Sequence, residues 1–310
     1  MKTIYSKKHY LRNSLTELSG GQLVKPFESP ERIEFILNEI SQRKLGSVFE
    51  PTKQSLDIVF KVHDKDYINF LETAWADWNK EGFLGEAIPT VWPSRSMNSK
   101  IIPNNIEGKL GYYCLANETS ISQGTIEAAY ESVRVVLTGV EMLKKEKSIF
   151  ALCRPPGHHA SKDQYGGYCF FNNVAIAAEK LIEEGAKKIA ILDIDFHHGN
   201  GTQEIFYDRS DVFFISLHGD PMEAFPHFLG HADEKGVEDG LGFNVNYPMP
   251  PNTSYVQWKK SLNEVVSEID YFNPDFLLIS LGVDTYENDP ISFFKLKSDD
   301  YFDVGREISS

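Results

Sequence analysis

Cysteine is scarce: Cys114, Cys153 and Cys169 are the three in 310 residues, and no two form a Cys-x-x-Cys pair. They cannot pair completely, so a reducing, cytoplasmic compartment is the expectation. Basic residues are also short. Lys plus Arg number 31 against 45 Asp plus Glu, a formal net charge of −14. A nucleic-acid partner needs a basic footprint, which this balance excludes. The acidic excess keeps the chain in solution, and part of it suits a cationic substrate. No apolar run reaches membrane-spanning length. The start, "MKTIYSKKHYLRN", is basic but has no apolar stretch of a signal peptide, so no membrane partner is expected. Repeats, low-complexity tracts and linkers are missing too.

What is present is ordinary globular material, 41% hydrophobic and 25% charged, enough for one large domain or two small ones. The chain alternates strand and helix. "KSIFALCR" (147–154), "KKIAILDID" (187–195), "DVFFISLHG" (211–219) and "PDFLLISLGVD" (274–284) read as buried strands. Residues 172–185 and 254–272 read as amphipathic helices between them. Further helices fit 29–43, with Ser29 as N-cap and Pro30 at the first position, and 123–145. Strands apolar on both faces that alternate with helices predict an α/β fold: a mainly parallel multi-stranded sheet with helices on both faces. Residues 80–121, rich in Pro, Gly, Asn and Ser, predict a long loop that serves as lid, substrate wall or oligomer contact.

Polar residues gather where these strands end. "CRPPGHHA" follows the first, "DIDFHHGNG" ends the second, "SLHGDP" the third and "SLGVDTYENDP" the fourth. In open α/β sheets ligands bind outside the carboxyl ends of the strands, so four such ends predict a built active site at that edge. Asp195 and His197, one residue apart, would project to the same side of an extended strand end. With Asp284 they would give three protein ligands and one open position, as a catalytic zinc site requires. The tandem His158–His159, set after two prolines and Gly157, suits general base and general acid work near neutral pH. Asp193 and Asn200 are the candidates to orient them.

These segments, with "GGYCFFNNVAIA", "DIDFHHGNGTQEIF" and "LGVDTYENDP", resemble the arginase/deacetylase superfamily and within it the zinc-dependent histone deacetylase family. The long loop and "DPMEAFPHFLGHADE" resemble the bacterial acetylpolyamine amidohydrolases in that family. The resemblance runs from "HYLRNSLTELSGGQ" to "ISFFKLKSDDY", almost the whole chain. It implies one Zn²⁺ per chain on Asp195, His197 and Asp284. It makes His159 general base and then general acid, with His158 an electrostatic partner beside Asp193. Asn200 matches the position beside His159 where many relatives have Asp, and His198 becomes a supporting residue. Gly167, Tyr168 and Phe225 would line a narrow tunnel for an aliphatic amine. Structural K⁺ would sit on Asp193, Asp195, His197, Ser216 and Leu217, and a second K⁺ on Phe206, Arg209, Val212 and Phe243, largely through backbone carbonyls. Two-metal ureohydrolases of the superfamily use an Asp-x-His-x-Asp run, and Gly199 stands where its last carboxylate would be.

The resemblance also implies an oxyanion-stabilising Tyr in a Gly-Gly-Tyr loop after a further strand. The sequence stops at "DVGREISS", before that strand and loop, and neither Tyr286 nor Tyr301 fits the role. The expectation is therefore one deacetylase-like domain over 1–310 that lacks its last strand, loop and helix. The 80–121 insertion would narrow the rim and join two chains into a homodimer. Glu107, Glu118 and, more weakly, Glu17 would meet the secondary ammonium groups of a polyamine. The expected reaction is hydrolysis of small cationic acetylated amines to acetate and free amine. A protein acetyl-lysine deacetylase and a non-catalytic zinc-binding relative are the alternatives.

Overall fold

A computed structural model describes residues 1–309. The chain divides into two units, Met1–Lys180 and Leu181–Ser310. In the first, β1 (Lys2–Ile4) pairs in parallel with β4 (Val48–Phe49) on one side and β5 (Ile149–Ala151) on the other. A separate antiparallel hairpin joins β2 (Glu17–Ser19) to β3 (Gln22–Val24). The helices are α1 (Glu31–Gln42), α2 (Val59–Val62), α3 (Lys65–Lys80), α4 (Ile106–Tyr113), α5 (Thr125–Leu143) and α6 (Asn173–Glu183). Two expectations change here. Pro30, not Ser29, caps α1, because the Ser29 hydroxyl bonds the Glu31 carboxylate instead of a backbone N–H. The 80–121 segment is not all loop, since it contains α4, which Asn105 caps by accepting the Glu107 N–H at 2.8 Å.

The second unit carries β6 (Ile189–Asp193), α7 (Asn200–Phe206), β7 (Val212–Gly219), β8 (Asn244–Met249), α8 (Tyr255–Phe272), β9 (Phe276–Ser280) and α9 (Asp300–Ser309). Its sheet is parallel throughout, in the order β8-β7-β6-β9. All five β6 residues are buried, as a central strand covered on both faces requires. Pro248 falls in β8, an edge strand that can do without one amide donor. Helix α8 presents Trp258, Leu262, Val265, Ile269 and Phe272 at spacings of four and three, one continuous apolar stripe. That stripe joins Leu192, Phe213, Ile215, Leu217, Phe294 and Leu296 in the core. Burying each of those large side chains contributes about 1.5–3 kcal/mol.

The strand order fixes where a ligand can go. The chain steps outward from β6 to β7 to β8, then returns through α8 to place β9 on the other side of β6. Loops leaving β6 and β9 therefore turn in opposite directions, and a crevice opens at their carboxyl ends.

Candidate functional site

Asp195 and His197 leave the end of β6, and Asp284 follows the end of β9, so the switch point brings all three together. One ligand atom from each lies within 4.8 Å of the others. Asp195 and His197 do not share a strand face. They converge because residues 195–197 bend, with the His197 N–H donating to Asp195 Oδ1 at 2.8 Å. Each carboxylate here clamps backbone: Asp193 Oδ1 accepts the Asp195 N–H at 3.2 Å, and Asp284 Oδ1 accepts the Phe196 N–H at 2.8 Å. His197 Nδ1 stands 2.8 Å from Asp284 Oδ2 and 3.3 Å from Asp195 Oδ1. Ligands at about 2.0 Å from a tetrahedral ion stand about 3.3 Å apart, so the cluster fits a metal with little movement.

Its electrostatics also ask for a cation. Burial alone would strip His197 of its proton, but Asp195 and Asp284 outweigh burial and raise it to about 10. Asp284 is pushed up to about 6 by burial and by the charge of Asp195, against the pull of His197. Two carboxylates thus share one proton-borne charge, and a divalent ion can replace it. Two glycines make room. A Cβ on Gly282 would run into the Asp195 carboxylate, and one on Gly199 into that of Asp193.

Around this triad, His198 is buried and its Nε2 lies 3.0 Å from Gln203 Oε1. Asn200 is buried at the start of α7. The half-buried Phe225 ring stands edge-on to His197, centroids 6.1 Å apart. Ser216 faces Asp193 across the β6–β7 ladder, with Leu217 next to it. Of the residues expected to hold a second K⁺, Phe206 O accepts the Arg209 N–H, Phe243 O accepts the Phe214 N–H, and Val212 opens β7.

In the first unit His158 and His159 are buried with ring centroids 4.0 Å apart. Their turn is braced at every step. The Arg154 Nε donates to Glu28 at 2.7 Å, a fully buried pair, and its Nη1 donates to the carbonyls of His9 and Arg12. The Pro155 carbonyl accepts from Ser132 and Asn173. A Cβ on Gly157 would come within 2.5 Å of the Asn173 nitrogen. His63 holds the far side, donating from Nδ1 to Ser161 O and accepting the Asn172 N–H at Nε2. None of Glu28, Ser132 and His63 carried a sequence signal; each is brought in from a distant segment.

Two residues expected to contact the substrate are pinned too. Gly167 and Tyr168 both have left-handed backbones, φ +53 and +67. The Gly167 N–H donates to Glu118 at 2.6 Å and the Tyr168 N–H to Thr119 Oγ1 at 2.7 Å, while Thr119 in turn donates to Glu118. The Tyr168 hydroxyl donates to the buried Glu17 at 2.9 Å. Burial raises the Glu17 carboxyl, and nearby Glu118 adds to the effect. Glu107, by contrast, is exposed on the first turn of α4.

This chain matches the Histone deacetylase domain family over residues 26–310. The chain belongs to the histone deacetylase family. It is 54% identical to the acetylpolyamine amidohydrolase of Mycoplana ramosa over 311 positions, which cover 100% of this chain and 91% of that one. Acetylpolyamine amidohydrolase 2 of Pseudomonas aeruginosa is 45% identical, with 99% and 90% covered. The crystal structure of acetylpolyamine aminohydrolase from Burkholderia pseudomallei superposes with a TM-score of 0.92 at 34% identity, covering 98% of this chain and 88% of that chain. The HDA15 HD domain shares the fold, at TM-score 0.80 and 24% identity. The family and fold read from the sequence are therefore borne out. No helix among the described residues is long and apolar enough to cross a membrane.

Proposed function

We propose that this chain hydrolyses acetylated polyamines or similar small cationic acetylamines to acetate and the free amine. The observation that carries this reading is the Asp195–His197–Asp284 cluster at the β6/β9 switch point, in a chain 54% identical to a named acetylpolyamine amidohydrolase. Those three residues would hold one Zn²⁺, which when bound polarises the amide carbonyl and acidifies water. His159 takes the proton from the attacking water and returns it to the amine nitrogen as the C–N bond breaks, so one residue serves as base and then acid. By the family resemblance His158 would act as electrostatic partner, and Asp193 and Asn200 would orient the imidazoles. A neutral Asn200 stabilises the imidazolium less than a carboxylate would.

By the family resemblance Gly167, Tyr168 and Phe225 would serve as contacts for the aliphatic amine chain. Glu17 and Glu118 lie along the wall near Tyr168 and favour a cationic chain there; Glu107 serves the outer rim. K⁺ bound by Asp193, Asp195, His197, Ser216 and Leu217 would offset the acidic loop, with a second ion among the carbonyls of Phe206, Arg209, Val212 and Phe243. Contact through the 80–121 segment would pair two copies in the cytoplasm. The test compares N-acetylputrescine with an acetyl-lysine peptide on zinc-loaded protein. Faster turnover of the acetylamine is expected, and clear preference for the peptide would overturn the reading.

A further inference from the structure

Behind the metal loop, a set of buried polar groups that the proposed chemistry does not use converges on one side chain, Gln203 of α7. Its Nε2 donates to Glu234 Oε2 at 2.6 Å. The amide nitrogen therefore faces Glu234 and Oε1 faces the other way. Toward Oε1 come Asn244 Nδ2 at 3.0 Å, Asn246 Nδ2 at 2.8 Å and His198 Nε2 at 3.0 Å. That oxygen cannot donate, so the His198 ring proton sits on Nε2. Both asparagines turn their nitrogens inward although their own oxygens have no partner among the described residues. The network is thus organised around Gln203.

The same network reaches a second loop. Glu234 Oε2 also accepts the Gly230 N–H at 2.9 Å, and the Gly230 carbonyl accepts from His218 Nε2 at 2.8 Å. With its Nε2 protonated, His218 takes the Ser216 hydroxyl at Nδ1, 2.8 Å away. Gly230 has φ +102, and a Cβ there would stand 2.8 Å from both the His198 and His218 rings. The backbone of residues 230–234 is therefore locked beneath the metal loop, on the segment that begins at Phe225.

We infer that Gln203 is a positioning residue that sets the metal loop and the Phe225 loop together. It acts through His198, the neighbour of the ligand His197, and through Glu234, which pins Gly230. This rests on the ligand assignment of the proposed function but not on its substrate. Groups that orient ligands from behind commonly change metal affinity by about 10–100-fold when removed.

Zinc affinity measured by chelator competition, beside thermal melting, tests the assignment. Gln203→Ala should weaken zinc binding by about 10–100-fold. Gln203→Glu should do the same, because it sets two carboxylates against each other. Gln203→Met keeps the side-chain length without the amide, should also weaken zinc binding by about 10–100-fold, and carries the test if the alanine variant does not fold. Zinc affinity within twofold of the parent in a folded Gln203→Ala or Gln203→Met variant, despite a lower melting point, would overturn the role. A parent that binds zinc but hydrolyses no acetylamine would sink the substrate reading and leave this test standing.

Discussion

Acidification should loosen the His158–His159 turn through His63, and the size of the effect follows from its two contacts. His63 is 2% exposed, donates from Nδ1 to Ser161 O at 2.7 Å and accepts the Asn172 N–H at Nε2 at 2.9 Å. A second proton would evict the Asn172 N–H and bury a charge. Burial accordingly lowers the imidazole from 6.5 to about 4, although the Ser161 and Lys162 backbones pull the other way. Between pH 6.5 and 4 the unfolded chain binds this proton and the folded chain does not. The stability His63 contributes is therefore complete above pH 6.5 and falls as pH drops toward 4. At about 1.4 kcal/mol per pH unit the full loss is about 3 kcal/mol, most of it complete by pH 4.5. Urea unfolding followed by tryptophan fluorescence at pH 7.5 and 4.5 measures it. Three of the four tryptophans, Trp75, Trp78 and Trp92, lie in the unit that holds His63. His63→Gln supplies the reference, since glutamine keeps polar atoms but does not titrate. Other groups titrate in both proteins, so the parent should lose about 2.5 kcal/mol more than the variant over this interval. Equal acid losses in the two would refute the reasoning.

Gly167→Ala places a methyl against the His159 ring and forces an L side chain into φ +53. Steady-state kinetics should show kcat reduced by about 100-fold or more in a folded protein, because misplacing the base by an ångström suffices. Asp284→Ala removes the carboxylate that clamps both the Phe196 N–H and the His197 ring. Zinc per chain after gel filtration should fall close to zero, and full occupancy would contradict the ligand set. Glu17→Gln trades a charged acceptor of the Tyr168 hydroxyl for a neutral one. It should raise KM for a monoacetylated diamine more than it lowers kcat, and an unchanged KM would remove Glu17 from substrate recognition.

β6 and β7 were legible because their burial on both faces forces unbroken apolar runs; β9 also falls inside a segment read from the sequence as a buried strand, although it is only half-buried and its Ile279 is exposed. β8 was not legible, and the reason is physical. Asn244 and Asn246 occupy buried positions because they face Gln203, so the apolar alternation that would announce a strand is replaced by amides. α4 escaped notice because it contains two glycines. At Gly111 a Cβ would strike the Val91 carbonyl, so packing overrides helix propensity there. The Asp195–His197–Asp284 cluster could be read because polar residues after an apolar strand stand out locally. Their supports could not, because Glu28 meets Arg154 across 126 positions and Asp284 meets Phe196 across 88. Such pairings exist only once the fold has closed.

Gly199 shows how the two kinds of reading join. In the sequence it is a missing carboxylate, and its absence argues for one metal rather than two. The structure adds that a side chain could not be restored there without cost. A Cβ at 199 would meet the Asp193 carboxylate and stand 3.1 Å from the Phe214 ring. Asp193 in turn clamps the Asp195 N–H. A carboxylate at 199 would displace the residue that shapes the first ligand while adding negative charge beside it. The glycine is therefore part of how the Asp195 loop is held, and on the proposed one-metal reading packing as well as the lack of a ligand speaks against a second ion there.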